Sequence, residues 1–532
     1  MLTPRRSFLL AGASSASLLA LSACSGGNTA GSGGGGQGDG GGGGTLVIDT
    51  AFSIETGDPG NTYDPTGNMV ARALYETLVD FEGSDVTTPV PGLATWEQNE
   101  DATEFTFTLE EGHTFSDGSP VTVEDVVFSL QRVKGMEDAK PNFLLNGVSM
   151  EQVDDTTIRF TTDTPLLQLP AILANPALGI LNAEVVQENG GATDGSDSAQ
   201  DYLNSASAGS GPFVLHTLDL TSQVVLVRNE EYTGSREAGY DRVVIRNVTE
   251  SATQLMNLQG GDTMVTLDLS GDQVSGLGDG FTVEASPSGQ TIFLLLNQSE
   301  DVADDLANPK IAEAIRYGLD YDALLELAGE GAQQATGVIP IGFEGALEEG
   351  ITRDTDRAEA ALEEAGYTDQ TMRLQFPNDY PVSGVEFTPL AERIQSQLGE
   401  IGITVELAPA PFATELDAYV SGREAFGLWF WGPDYADSAN FLPFGPGLKV
   451  GERAGWAEED DQEIADIAAR ASAATDSEER ESEFIAFGEA MQESGPFVPL
   501  IVPARNIASA DTVTGAVYSP LWYLDIAGVS PA

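Results

Sequence analysis

The sequence predicts an α/β protein built of more than one lobe, and three observations predict it. In the second half of the chain, helical and strand patterns alternate: Leu390, Ile394 and Leu398 line a helix, Ile403 to Leu407 read as a strand, Phe412 to Val420 as a helix and Phe426 to Trp431 as a strand. Helix followed by strand, repeatedly, calls for sheets covered on both faces. The length of 532 residues exceeds one ordinary core and implies two or three domains. An apolar fraction of 41% is enough to bury them.

The chain opens on an export signal. Arg5-Arg6-Ser7-Phe8-Leu9 is a twin-arginine pattern, and the apolar run from Leu9 to Ala20 is too short to span a bilayer permanently. Leu21-Ser22-Ala23-Cys24 then resembles a bacterial lipobox, with cleavage before Cys24 and a lipid on its thiol. Cys24 is the only cysteine, so a disulfide framework is excluded. Ser25 to Gly44 is nearly all glycine and polar residues, a flexible tether reaching roughly 25 Å. Its formal G-x-G-x-x-G at Gly31 to Gly36 has no strand before it and no helix after it, and carries no nucleotide-binding meaning.

Charge narrows the partners. With 84 acidic against 23 basic residues the net charge is −61, and Lys134, Lys140, Lys310 and Lys449 are the only lysines. Such a surface repels nucleic acid and anionic lipid. It fits a high-salt habitat or an acidic secreted surface equally well.

Folded sequence begins with a strand at Thr45-Leu46-Val47-Ile48. Val70, Leu74 and Leu78 mark an amphipathic helix from Asn68 to Val79. Glu104 to Leu109 alternates as a strand, Ser116-Asp117-Gly118 is a turn, and Thr122-Val123-Glu124-Asp125 opens a helix through Leu130. Arg357 to Tyr367 reads as a helix closed by Gly366. Two helical stretches, marked by Ile464, Ile467, Ala471 and by Phe484, Phe487, Met491, precede a strand at Phe497 to Val502. The tail from Val513 is expected to pack back on the first lobe.

The segment PGLATWEQNEDATEFTFTLEEGHTFSDGSPVTVEDVVFSLQR resembles the signature of the solute-binding lipoproteins of dipeptide and oligopeptide ABC importers. The likeness continues through Val153 to Thr161, where it implies the family's strand after the helix, then Gly209-Ser210-Gly211-Pro212-Phe213, Val227 to Tyr232, Ile292 to Asn297, Asn308-Pro309 with the helix Ile311 to Leu319, and the Arg357 to Tyr367 helix. It departs at Thr233, where the family carries an aromatic, and at Gly261-Asp262-Thr263-Met264. The resemblance implies a two-lobed periplasmic-binding-protein-like fold of the three-domain, peptide-binding type, with hinge closure. It implies a signal peptide at 1–23, a tether at 24–44, a first lobe from 45–80, 208–284 and 506–532, an inserted domain at 81–207, and a second lobe at 285–505.

The stretch Ala425 to Phe441 is the candidate site: an aromatic strand that breaks at Gly432-Pro433 and presents an acid and a ring. The resemblance implies that Asp434, in Trp431-Gly432-Pro433-Asp434-Tyr435, meets a peptide α-amine. An extended main chain at Phe430 to Gly432 suits strand addition, and Trp429, Trp431 and Tyr435 suit stacking on a peptide or a sugar. On the residues alone, Asp434 has a plainer role, capping a helix that starts near Ser438. No Arg or Lys stands close by in sequence to hold a peptide carboxylate, which favours longer peptides.

Other chemistry finds little support. His113 and His216 are the only histidines, in separate segments, and no H-E-x-x-H, G-x-S-x-G, G-K-[ST] or C-x-x-C occurs. No metal or cofactor is expected, nor an enzyme. A secreted hydrolase working through paired acids is the non-transport alternative, and an adhesive surface protein would require repeats that the sequence lacks. The expected role is capture of a peptide, or of an oligosaccharide or other small solute, by a monomer held to the membrane by lipid and serving an ABC permease and its ATPase.

Overall fold

The protein is described here by a computed structural model covering residues 43–532, apart from 84, 137 and 138. The export signal, Cys24 and all but the end of the glycine-rich stretch lie outside the described residues.

Strand Thr45–Thr50 is the middle of a seven-stranded mixed sheet. Arg242–Asn247 and the short Val265–Thr266 flank it in parallel. The sheet runs outward on one side through Gln223–Arg228 and Phe213–Asp219, and on the other through Ala504–Ala510 and Phe281–Pro287. Leu46, Ile48, Val243 and Ile245 fill its core with Leu74 of the helix Pro65–Leu74, and Tyr518, Leu524 and Val529 of the tail join them.

A second sheet of six strands is built around Thr291–Leu296, every residue of which is buried. Phe426–Trp431 and Phe497–Val502 lie antiparallel on either side of it. Thr371–Pro377 and Thr404–Ala410 follow in parallel. Helices Pro309–Gly318, Thr355–Ala365 and Phe387–Glu400 cover one face, and Gln462–Ala473 and Ser477–Ser494 cover the other. A buried face on each side explains why these strands read as continuous apolar runs.

Two chain crossings join the sheets. Phe281–Pro287 passes to Thr291–Leu296 through Ser288 to Gln290, and Phe497–Val502 returns to Ala504–Ala510 through Pro503. The crossing segments are paired on both sides, Pro287 with Ala504 and Ile292 with Ile501, and the Ser288 amide donates to the Pro503 carbonyl at 2.8 Å. A third, four-stranded antiparallel sheet, Ala94–Gln98, Glu104–Leu109, Thr157–Thr161 and Ser149–Gln152, packs with helix Val123–Gly135 around Phe105, Phe107 and Phe160.

Local signals set several boundaries. Thr122 accepts from the Asp125 amide at 3.3 Å while the Asp125 carboxylate accepts from the Thr122 amide at 2.9 Å, a complete capping box. Gly366 ends its helix at φ 66°, a conformation other residues adopt at a cost. Two expectations fail, one for a tertiary reason and one for a local one. The helix expected to reach Val79 stops at Leu74, because the Leu74 carbonyl accepts from Gly211 of a neighbouring segment. The strand expected from Val153 is a hairpin, since the Asp154 side chain accepts from the Thr156 amide at 2.9 Å and turns the chain.

One ion cluster ties the third sheet's helix to the first. Arg132 is fully buried and donates to both oxygens of Asp58 at 2.8 and 2.6 Å and of Asp197 at 2.7 and 2.8 Å. Arg132→Met should leave two buried carboxylates unpaired and cost about 3–5 kcal/mol. Urea unfolding reads this as a lower midpoint; an unchanged midpoint would show the acids neutralised some other way.

Candidate functional site

Strand Phe426–Trp431 points its side chains alternately to the two faces of its sheet. Phe426 and Leu428 enter one core, and Trp429 and Trp431 lie on the opposite face. Trp429 is 1% exposed, stacks on Tyr419 with ring centroids 4.5 Å apart, and donates from Nε1 to Glu424 at 2.5 Å. Trp431 packs edge-on to Phe444 and donates to the Asn440 side chain at 3.2 Å. Neither indole is among the residues that line the cleft, because the strand's period puts both on the covered face, away from the stacking position expected from the sequence.

Phe430, at the end of the other face, does line the cleft and stacks on Tyr380 at 5.7 Å and 9°. Pairing with Thr371–Pro377 stops at Gln375 and Gly427, so from Leu428 onward that edge has no ladder partner among the described residues. Gly432 and Pro433 also line the cleft and carry the chain towards the first sheet.

Asp434 stands at the meeting of the lobes. Its carboxylate accepts a hydrogen bond from the Tyr63 hydroxyl, in the loop before helix Pro65–Leu74, and its carbonyl accepts from Asn175 Nδ2 at 2.7 Å. Burial raises the Asp434 carboxyl above its ordinary range, against the hydrogen bond from Tyr63 and the charge of Lys449. The cap of the helical turn Ser438–Phe444 is Asp437, which accepts from the Ala439 amide at 2.8 Å. Asp434 is therefore free of the capping role. Tyr435 and Ala436 pack against the core of the third sheet instead of the cleft.

The cavity beside Asp434 measures about 320 Å³ and is walled by Tyr63, Asp64, Phe430, Tyr380 and Arg505, with Ser288 and Gln290 at the crossing. Burial pushes Asp64 up to about 6. Among the described residues Arg505 is the one cation lining it; its guanidinium lies 4.4 Å from the Tyr523 ring centroid and 3.5 Å from Asp268. Sequence reasoning missed Arg505, because no local pattern brings Ala504–Ala510 to Asp434. Only the return crossing does.

Behind Trp429 lies a buried acid pair. Glu424 is 1% exposed and Glu415 6%, and Glu415 accepts from Gln375 at 3.2 Å. Burial, together with the neighbouring Glu415 and against the Trp429 hydrogen bond, pushes Glu424 up to about 9. A folded-state value above the ordinary 4.5 means that the folded chain keeps a proton the unfolded chain has lost. Stability must therefore fall as pH rises from about 4.5 to about 9, and level off beyond. Glu424→Gln, which retains an acceptor for Trp429, should flatten melting temperature against pH across that window and melt higher than the parent near its upper end. An unaltered slope would place the titration elsewhere.

Known proteins match this architecture along most of the chain. Residues 88–445 match the model of the bacterial extracellular solute-binding proteins, family 5. The chain is 28% identical over 485 residues to the probable D,D-dipeptide-binding periplasmic protein DdpA of Escherichia coli, covering 90% of this chain and 92% of that one. It is 26% identical over 516 residues to di/tripeptide-binding protein 2 of Pseudomonas aeruginosa, covering 91% and 94%. The periplasmic binding protein DppA of Helicobacter pylori, solved with the peptide STSA, superposes with a TM-score of 0.75 at 24% identity over 92% of this chain and 98% of its own. A two-lobed α/β body hinged on paired crossings, with a cleft at the crossings and a sequence match over two thirds of its length, identifies the chain as a member of family 5 of the bacterial extracellular solute-binding proteins.

Proposed function

We propose that the protein captures a peptide in the cleft between its two sheets and presents it to an ABC importer, with Asp434 holding the peptide's α-amine. The observation that carries this reading is a carboxylate at the seam of the lobes, drawn out of water and bonded by the Tyr63 hydroxyl and the Asn440 side chain, with no cation in direct contact among the described residues. An ammonium arriving there gains a charged acceptor in a site that closure dries further. The unpaired edge of Phe426–Trp431 beyond Gly427 offers main-chain groups for an extended ligand, which gives affinity with little regard to side chains. Arg505 supplies the cation for a carboxylate that the sequence alone did not provide. Relatives named as binding D,D-dipeptides and di- or tripeptides support the same class of ligand.

Capture is a bending of the two sheets about Ser288 to Gln290 and Pro503, with the domain at 81–207 moving with the first lobe and no covalent chemistry. Family membership sets this work outside the cytoplasm. In our reading the monomer is held to the outer face of the membrane through a diacylglycerol on Cys24, since two or more acyl chains anchor stably where one does not. Cys24→Ala should shift the protein to the soluble fraction, and an unchanged membrane fraction would refute the anchor.

Calorimetry with di- to pentapeptides, free and N-acetylated, tests the amine anchor. Acetylation, or Asp434→Ala with the free peptides, should cost about thirtyfold or more, about 2–5 kcal/mol for one member of a buried charge pair. If neither change weakens binding, Asp434 holds no amine and an oligosaccharide becomes the better reading.

A further inference from the structure

The amine reading leaves part of the cleft unused. Past Pro65, Tyr380, Arg505 and Tyr523 the first cavity continues into a second of about 480 Å³. Glu250 faces it from the first lobe, just before helix Ser251–Gly260, and Glu386 from the second, just before helix Phe387–Glu400. Both residues are exposed, and neither carboxylate makes a hydrogen bond or ion pair among the described residues. The third acid of the chamber, Asp268, is already engaged. It accepts from the Thr50 hydroxyl at 2.9 Å, the Ala51 amide at 2.7 Å and Gln254 Nε2 at 3.0 Å, and it faces Arg505 at 3.5 Å.

Asp268 and Arg505 therefore offset one another, and two negative charges from opposite lobes remain. The helix N-termini beside Glu250 and Glu386 each contribute about half a positive charge, which leaves the chamber net negative. Asn506 gives an independent sign of the missing ligand. It is 6% exposed and lines the chamber; its Nδ2 donates to the Leu269 carbonyl at 3.3 Å, which fixes the amide, and its Oδ1 accepts from nothing. A buried acceptor left without a donor is unfavourable, and closure draws the two like charges of the lobes together. A cation rich in N–H donors relieves both.

We propose that this chamber receives the ammonium or guanidinium of a basic side chain of the bound peptide, paired with Glu250 and Glu386 and donating to Asn506 Oδ1. The proposal rests on the peptide reading above and makes the protein selective for peptides carrying lysine, arginine or a similar residue at one position. An acidic side chain at that position meets two unpaired carboxylates and is rejected.

Calorimetry on the full-length protein with trialanine and its single-residue replacements by lysine, norleucine and glutamate tests this. Norleucine matches the lysine stem without its charge. At one position lysine should bind about tenfold tighter than norleucine, and glutamate more weakly than both. That ratio should shrink between about 0.05 and 0.5 M NaCl, as screening demands. Glu250→Gln combined with Glu386→Gln should bring it close to one. Peptides that bind with no preference for lysine at any position would overturn the chamber and leave the amine reading standing. A preference that survives the double substitution would overturn it too, by locating the basic side chain elsewhere. If no peptide binds, both readings fall together.

Discussion

The architecture depends on one antiparallel ribbon shared by two sheets. The second lobe is a single stretch of chain that leaves the first through Ser288 to Gln290 and returns through Pro503, and both crossings lie side by side. Two linkers this short prevent the lobes from sliding or separating; bending and twisting are what remain. Tyr518 of the tail braces the ribbon by donating to the Ser288 carbonyl at 2.9 Å. The pairing slips by one residue between Ile292 and Phe293, a bulge that concentrates twist next to the crossing. Ser288, Gln290 and Arg505 all line the cavity, so the residues at the crossings are also residues of the cavity wall.

Asp434 is the point where three cores meet. Its own strand is anchored in the second sheet, its carboxylate is bonded to Tyr63 beside the first, and the next two residues pack into the core of the third. A residue held from three directions has little freedom to reorient. Movement of either lobe changes what faces it, since Tyr63 and Asn175 come from the other side of the cleft.

Much of this was legible in the sequence, and what was not failed for identifiable reasons. Phe426–Trp431 announced itself by aromatic content and by Gly432-Pro433 at its end, and Thr122 with Asp125 announced a helix start. Which of Trp429 and Phe430 faces the cleft was not legible, because a strand buried on both faces shows no polar alternation to orient it. The end of helix Pro65–Leu74 was set by Gly211, and the presence of Arg505 by the return crossing, and both are contacts between distant segments. Glu250 and Glu386 stood out in no motif; among 84 acids, only their shared chamber distinguishes them.

Arg132 is not the only arginine buried inside the molecule, and together these residues bear on its outside. Arg72, Arg132, Arg316 and Arg480 are each no more than 5% exposed, so several of the 23 basic residues are consumed by internal pairing and carbonyl clamps. The solvent-facing skin is poorer in cations than the composition suggests. Copies of the molecule repel one another and stand off from anionic headgroups over a distance of about 8 Å at physiological salt. Crowded together they would stay dispersed without any steric device, and a docking partner would attract and orient them by presenting a positively charged face.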